Sequence, residues 1–215
     1  MYQNQLHFYK SFFLTLLIYF ISIPNIFCQK ESGKIFFKDK TTISGLCKIK
    51  GDDNIKFKEN KDSESLTYDV KLIDKIEINE YGFFETYRYK AIKDENTSKW
   101  MKVMIVGKVN LYKKDAYMNY DSGISSSGFG GRIGILGSGP VEHFYVSHEG
   151  DTEVFKITSL GDISRSFKKV ASAFFKDCPV LEEKIKNKEL KKEDIEQVVK
   201  FYNSKCGNTE IKSKN

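Results

Sequence analysis

The sequence contains few of the residues on which metal sites, catalytic sites and nucleic-acid interfaces depend. Its 215 residues include 3 histidines, 4 cysteines, 3 prolines and 1 tryptophan. Arginine, whose guanidinium fork suits phosphate and base recognition, occurs at Arg88, Arg132 and Arg165 alone. The net charge of +6 at pH 7 therefore comes mainly from lysine, which indicates a solvated surface and argues against a nucleic-acid partner.

The motifs of common cofactor sites are missing as well. The glycine-rich segment 122–139 contains no Gly-x-x-x-x-Gly-Lys-Ser/Thr, and Ile133 stands where a dinucleotide fingerprint has its third glycine. His143 and His148 are five residues apart, so a strand would place them on opposite faces and no zinc site is expected. We therefore expect no cofactor and no metal, and the carboxylates of the chain form no recognisable catalytic constellation.

The first 28 residues predict an export signal. Phe12–Ile23 is an almost unbroken apolar run closed by Pro24. Twelve helical residues span about 18 Å, too short for a hydrocarbon core of about 30 Å, whereas a run of this length is typical of a secretory signal peptide. Cleavage between Cys28 and Gln29 would give a periplasmic, outer-envelope or secreted protein. Acylation of Cys28 and an uncleaved anchor are the alternatives.

Residues 29–160 predict a β-rich domain. From Lys34 onward, short runs of alternating apolar and polar residues are separated by turn clusters such as Gly51–Asn54, which indicates antiparallel hairpins. The spacing of these runs resembles that of SH3-like or Sm-like barrels. We therefore expect an antiparallel curled sheet or a small β-barrel-like body.

The stretch Trp100–Tyr112 is predicted to lie at the centre of the core. Met101 and Val103 point to one face of a strand, and Met104 and Val106 point to the other. A strand that is apolar on both faces is covered on both faces, so it belongs inside a sheet. Gly107, within the stretch, predicts a bulge or bend.

Segment 122–139 holds seven of the fifteen glycines and is predicted to be a loop. Glycine is conformationally permissive, so one interpretation is a mobile connection between two strands. The other is a contact loop toward a membrane or a protein partner. Its candidate contact residues are Phe129, Arg132, Ile133, Ile135 and Leu136.

Residues 161–207 change to the period of a helix and predict a segment of three helices. The first has a plausible N-cap at Ser164, the second opens with Pro179 and the third with Lys192, each with one apolar stripe. Residues 208–215 are expected to form a flexible tail. The predicted fold class is therefore α+β, with the helical segment after the β-rich body.

The cysteines after the predicted signal favour one disulfide. The second and third helices should form a hairpin that brings Cys178 and Cys206 together, and an exported protein reaches an oxidising compartment. Closing this loop is worth about 3–4 kcal/mol in the chain-entropy model. Cys47 is expected to be a buried thiol, with a reactive cysteine assisted by His143 as the alternative.

Several motifs are similar to those of a family of exported proteins of Gram-negative bacteria with no assigned activity. They are Gly-Leu-Cys-Lys-Ile at 45–49, Gly-Lys-Val-Asn-Leu-Tyr at 107–112, His-Phe-Tyr-Val at 143–146 and the ending Phe-Phe-Lys-Asp-Cys-Pro at 174–179 with Val-Val-Lys-Phe-Tyr-Asn at 198–203. The resemblance covers most of the chain. It implies export and the disulfide, and it implies no catalytic residue.

The sequence favours an exported, envelope-associated or secreted binding or structural module of unknown ligand. Its partner would be an envelope protein or a membrane surface. The alternative is a periplasmic or secreted enzyme of unknown reaction. A deep pocket that gathers several ionisable groups would favour the enzyme, and an exposed apolar patch would favour the module.

Overall fold

Ten strands and three α-helices make up the part of the chain that the computed structural model describes, residues 31–124, 133–161 and 167–206. The strands are β1 (Glu31–Phe37), β2 (Thr42–Lys50), β3 (Asn54–Lys58), β4 (Leu66–Thr67), β5 (Ile73–Glu80), β6 (Phe83–Ile92), β7 (Ser98–Ile105), β8 (Val109–Ile124), β9 (Ile133–His148) and β10 (Glu153–Leu160). The helices are α1 (Phe167–Phe174), α2 (Pro179–Lys186) and α3 (Ile195–Lys205). The predicted α+β class, mostly sheet with a C-terminal helical segment, is confirmed.

The strands form one sheet in the order β10-β9-β8-β7-β6-β5-β1-β2-β3-β4, and neighbours in this order are antiparallel. β10 also pairs in parallel with β6, Glu153 opposite Ala91 and Val154 opposite Ile92. This second pairing closes β6 to β10 into a ring of five strands. The other five strands continue from β6 through β5 as an extension of the ring.

The ring has a filled interior. Each of its five strands contributes one buried residue to a single apolar cluster, with Val103 packed beside it. A closed five-stranded ring leaves space for side chains and no lumen, so this cluster is the first of three cores. Its buried members are Ile92, Met101, Tyr112, Tyr145 and Val154.

A second core lies under the extension and includes one residue of the ring. Trp100 is 1 % exposed and belongs to this cluster, whereas its neighbour Met101 is 0 % exposed and belongs to the ring interior. Successive residues of a strand point to opposite faces, so β7 separates the two cores. The other buried members of the second core are Ile35, Cys47, Ile55, Phe57, Ile73, Ile76 and Ile78.

The stretch Trp100–Tyr112 lies at the centre of the sheet, as predicted, but it belongs to two strands, β7 and β8. β7 lies between β6 and β8, as a strand covered on both faces requires. The chain turns after Ile105, and the residues from Val109 onward belong to β8, which returns antiparallel to β7. Val106, expected to be inside, is 79 % exposed in this turn. The prediction of one continuous strand with a bulge is therefore wrong.

The third core joins the helices to the sheet. The apolar stripes of α1, α2 and α3 pack against residues of β8, β9 and β10, including Val109, Leu111 and Val146. The buried residues of this helical layer are Phe167, Ala171, Phe175, Cys178, Leu181, Ile185, Ile195, Val198, Val199 and Tyr202. Phe175 is 0 % exposed, whereas Phe174 is partly buried at the edge of the cluster. The Phe175 N–H donates to the Ala171 carbonyl at 2.9 Å, so the helical turn continues past the end of α1.

The glycine-rich segment is largely strand in its described parts. β8 and β9 pair without interruption from Val109 opposite His148 to Ile124 opposite Ile133. The residues 122–124 and 133–139, predicted to be loop, therefore belong to a hairpin, because cross-strand pairing outweighs the weak strand propensity of glycine. Pairing with β7 ends at Lys113 and pairing with β10 ends at Glu142, so beyond these points β8 and β9 pair with each other as a two-stranded ribbon.

Asn203 of α3 holds the start of β8. Its side-chain Oδ1 accepts the Val109 N–H at 2.8 Å, and its Nδ2 donates to the Val109 carbonyl at 2.9 Å, so the amide acts as a short neighbouring strand. A Cβ at Gly107 would lie 2.5 Å from Nδ2 of Asn203. Glycine is needed at this position because the helix side chain approaches the backbone, a reason different from the predicted bulge.

Replacing Asn203 by alanine should therefore lower the free energy of unfolding by about 2 kcal/mol, because the Val109 N–H and carbonyl lose their partner. Gly107→Ala should cost a similar amount in the wild type and about 0.5 kcal/mol in the Asn203→Ala background, where the clash is gone. Urea unfolding of the four proteins measures this coupling. Ser204→Ala, at an exposed position on the same helix, is the control and should change stability by less than about 0.5 kcal/mol. Additive costs would contradict the interpretation.

The predicted disulfide is present between Cys178 and Cys206, with 5.6 Å between their Cα atoms and a sequence separation of 28. It ties the residue before α2 to the residue after α3. Cys47 lies elsewhere, in the second core, where its side chain is 1 % exposed. Burial of this thiol, as predicted, leaves a reactive role without access for a substrate.

The double variant Cys178→Ala/Cys206→Ala should lose about 3–4 kcal/mol of the free energy of unfolding, since the denatured chain regains the entropy of the open loop. Urea unfolding monitored by tryptophan fluorescence measures the loss. Wild-type protein in excess reductant is the control and should unfold like the variant. A variant as stable as the oxidised wild type would show that the bond contributes little.

None of the helices in the described ranges is long and apolar enough to cross a membrane.

Candidate functional site

The predicted contact residues are not gathered into a described site. Phe129 and Arg132 lie outside the described residues. Ile133, Ile135 and Leu136 are positions of β9 rather than of a loop, and their register partners on β8 are Ile124, Ser122 and Asp121. The hypothesis of a contact surface there stays a prediction.

A different exposed apolar feature lies at the turn between β5 and β6, and we call Tyr81, Phe83 and Phe84 the aromatic tip. Tyr81 is 100 % exposed, Phe83 is 75 % exposed and Phe84 is 53 % exposed. Tyr81 and Gly82 have φ of 54° and 93°, the two positive values of a type I′ hairpin turn. The tight turn places three large aromatic side chains in solvent at the end of one hairpin.

The aromatic tip has defined neighbours. The Gly82 N–H donates to Oδ1 of Asn79 at 2.9 Å, which fixes the turn. On one side, the Lys34 ammonium lies 5.7 Å from the centre of the Phe84 ring, within the range of a cation–π contact. Phe84 and Lys34 share a shallow hollow of about 510 Å³ with Glu59, Asn60 and Lys61.

On the other side, a cross-strand polar cluster occupies β5, β6 and β7. The Tyr87 hydroxyl donates to Glu80, and the Lys102 ammonium lies 2.9 Å from Glu85 and 3.9 Å from Glu80. Burial, and then the Glu80 carboxylate, raise the pKa of Tyr87 well above its usual range, so the phenol stays protonated. In this cluster each hydrogen-bond donor or ammonium lies beside a carboxylate, so these residues stabilise the fold.

A groove of about 470 Å³ lies between the β9–β10 turn and α1. This volume is within the range of small-molecule sites. Its polar lining includes Lys93, His148 and Asp151, and its apolar wall includes Phe155 and Phe174. The His148 ring stacks on Phe174 with 4.8 Å between ring centres, and the Asp151 carboxylate accepts the His148 backbone N–H at 3.0 Å. These groups can hold a small ligand with one flat face, but the imidazole and the carboxylate are already used in packing and in the turn.

The two histidines do not come together. His148 is on the helix side of β9, whereas Nδ1 of His143 lies 2.8 Å from Oγ of Ser159 on β10. A serine beside an imidazole is the pair found in nucleophilic catalysis. Ser159 is 1 % exposed, so no substrate reaches its hydroxyl, and the contact joins two register partners of neighbouring strands.

Among the described residues, no group of three or more His, Cys, Asp or Glu side chains is placed to hold a metal ion.

The aromatic tip does not stand out in the sequence because Tyr81–Tyr89 alternates in the manner of a half-buried strand. One signal could have found it. A glycine at position 82, after the turn-forming Asn79, marks a two-residue hairpin turn, which removes Tyr81 from the strand and exposes its neighbours.

Tyr202 lies behind His148 and joins α3 to the segment before α2. Its hydroxyl donates to Oδ2 of Asp177 at 2.5 Å, and its ring centre is 6.4 Å from that of His148. Burial of the phenol, and then the hydrogen bond to Asp177, raise the pKa of Tyr202 to about 12. Folding therefore favours the neutral phenol, so the stability that it contributes is complete below about pH 10 and is lost as the pH rises toward 12.

Tyr202→Phe should consequently be less stable than the wild type by about 1 kcal/mol at pH 8, through the lost hydrogen bond. The difference should shrink or reverse between about pH 10 and pH 12, because phenylalanine cannot ionise. Urea unfolding of both proteins across this range measures it. Asp177→Asn, which keeps an acceptor and removes the charge, should weaken the pH dependence. A constant difference from pH 8 to pH 12 would contradict the assignment.

Compared with known proteins, this chain matches no family model, no curated protein and no solved structure, so its function has to be inferred from its own geometry.

Proposed function

We propose that the protein is an exported binding module of the cell envelope or the medium and that the aromatic tip is part of its contact surface. The observation that carries the proposal is the exposure of three adjacent aromatic side chains, of which Tyr81 is 100 % exposed. Three exposed aromatic side chains gathered at the end of one hairpin exceed the scattered apolar residues of an ordinary surface, and such a concentration indicates an interaction site. Burying each such side chain against a partner is worth about 1.5–3 kcal/mol, so the tip can dominate a contact.

The rest of the fold serves this function as a rigid support. The barrel-like ring and the three-helix layer hold β6 in place, and the β5–β6 hairpin extends from β6 to the tip. Rigid, well-packed elements position a contact surface more accurately than a long loop does. The groove beside α1 is a second place where a small ligand can bind.

Export is supported by two features of the chain. The apolar run Phe12–Ile23 has the length of a signal peptide, and the pair Cys178–Cys206 is at disulfide distance, which suits an oxidising compartment. The partner is an envelope protein or a membrane surface.

A photo-reactive phenylalanine analogue at position 83 should form crosslinked products with an envelope component when the full-length chain is produced in cells and irradiated. The same analogue at position 180, where Val180 is 60 % exposed on α2, is the matched control. Denaturing gels and mass spectrometry of the products measure the difference. Equal crosslinking at the two positions, or crosslinking at 180 alone, would contradict a contact surface at the tip.

A further inference from the structure

We propose that the aromatic tip binds the headgroup region of an anionic lipid bilayer. The inference rests on the proposed binding function and names the partner of that site. It stands on four properties of the hairpin: the directions of its aromatic side chains, the conformation of Tyr81, the pairing of its backbone and the charges around it.

The three aromatic side chains point in different directions. Phe83 and Phe84 are adjacent in β6, so they lie on opposite faces of the hairpin, and Tyr81 lies at its apex. All three are more than half exposed. A flat protein surface would cover one face of the hairpin and leave the other in water. A lipid interface surrounds the tip, so it contacts both faces and the apex together.

Tyr81 adopts a conformation that its side chain disfavours. Its φ of 54° is in the left-handed region, where asparagine or glycine is preferred at this position of a type I′ turn. A side chain that is 100 % exposed recovers none of this cost through packing in the fold. The tyrosine at this position therefore serves a contact outside the fold, and tyrosine is a residue enriched at membrane interfaces.

The backbone of the tip is largely paired within the hairpin. Phe83 pairs with Glu80, and Phe84 pairs with Asn79. The Gly82 N–H is satisfied by the Asn79 side chain at 2.9 Å. Unpaired backbone groups are costly where water is scarce, so a self-paired hairpin can enter a lipid interface at little cost in lost hydrogen bonds.

The charges beside the tip favour anionic lipid. The ammonium of Lys34 lies over the Phe84 ring, Lys61 lines the same hollow, and the Lys58 ammonium donates to the Lys61 carbonyl at 3.1 Å. Glu59 is the carboxylate that lines this hollow. The carboxylates on the opposite side, Glu80 and Glu85, share the single ammonium of Lys102, and Glu80 also accepts a hydrogen bond from the neutral Tyr87 hydroxyl, so this cluster keeps one net negative charge. On the Phe84 side the ammonium groups of Lys34, Lys58 and Lys61 outnumber the Glu59 carboxylate, and this local excess attracts phosphate and acidic headgroups.

Co-sedimentation with vesicles of the processed chain, which begins at Gln29 and lacks the apolar run Phe12–Ile23, tests the proposal. Vesicles of about three parts phosphatidylcholine to one part phosphatidylglycerol should bind the wild type more strongly than vesicles of phosphatidylcholine alone. Phe83→Ser/Phe84→Ser should reduce binding to the anionic vesicles by about tenfold or more, because the inserted aromatic area is lost. Leu72→Ser/Val180→Ser removes side chains that are 59 % and 60 % exposed elsewhere and is the control expected to bind as the wild type does.

Tyr81→Asn separates a contact role from a structural one. Asparagine suits the left-handed conformation, so the melting temperature should stay the same or rise by about 2 °C, while vesicle binding falls by about threefold or more. A lower melting temperature with unchanged binding would show that Tyr81 supports the fold, and the proposal would be overturned.

Two further outcomes would overturn the lipid assignment. Equal vesicle binding by the wild type and the Phe83→Ser/Phe84→Ser variant would exclude the tip as the lipid contact, and crosslinks from position 83 to a protein would then leave the binding function standing with another partner. Concentration-dependent dimers that the variant loses, measured by sedimentation in the absence of lipid, would make the tip an interface between copies of this chain.

Discussion

The pairing of β10 with β6 is the constraint on which the rest of the structure depends. Two residue pairs and the hydrogen bond from the Lys93 N–H to the Val154 carbonyl, at 2.8 Å, close the ring. Closure gives the sheet an inside and an outside, so β7, β8 and β9 need apolar side chains on both faces. One face fills the ring, and the other faces the extension or the helices. The unusual apolar content of the stretch Trp100–Tyr112 follows from this geometry.

The outside of the ring is covered by two different layers. The helices cover β8, β9 and β10, and the Asn203 amide and the Cys178–Cys206 disulfide fix their position. The extension covers the β7 side around Trp100. There the backbone N–H of Trp100 donates to the backbone carbonyl of Asp52 at 3.2 Å. The side-chain carboxylate of Asp52 lies 3.2 Å from the Lys114 ammonium. The turn between β2 and β3 thus completes hydrogen bonding where β7 and β8 separate.

The aromatic tip is exposed because it lies beyond the points where the neighbouring strands stop pairing with β5 and β6. Pairing between β6 and β7 ends at Tyr87 opposite Lys102, and pairing between β5 and β1 ends at Ile78 opposite Gly33. The hairpin beyond these points is supported by its own two strands. Apolar residues at such a position contribute nothing to the folded core. We therefore explain the presence of aromatic side chains there by contact with a partner. The polar cluster of Tyr87 and Lys102 lies at the base of the hairpin and anchors it through paired charges.

Much of the fold follows from local patterns in the sequence. Period-two alternation and turn residues predict the hairpin of β2 and β3, and period-3.6 stripes predict the three helices, because these patterns reflect contacts between residues close in sequence. The pairing of Cys178 with Cys206 follows from a helical hairpin, which is also local. Burial of Cys47 follows from its position on the apolar face of β2.

Other features depended on residues far apart in sequence. Glycine suits position 107 because the side chain of Asn203, which is far away in sequence, lies against the backbone there. A pattern of neighbouring residues cannot predict that contact. The pairing of residues 122–124 with 133–135 was hidden by glycine, whose weak strand preference is overcome by the partner strand. The aromatic residues of Tyr81–Tyr89 have one pattern in the sequence, yet Tyr87 is half-buried and Phe83 is exposed, because exposure depends on where neighbouring strands end. The sequence by itself determined the β2–β3 hairpin, the helical segment and the disulfide. Only the tertiary structure decided the division of Trp100–Tyr112 into two strands, the closed ring and the exposed tip, since all three are set by non-local strand pairing.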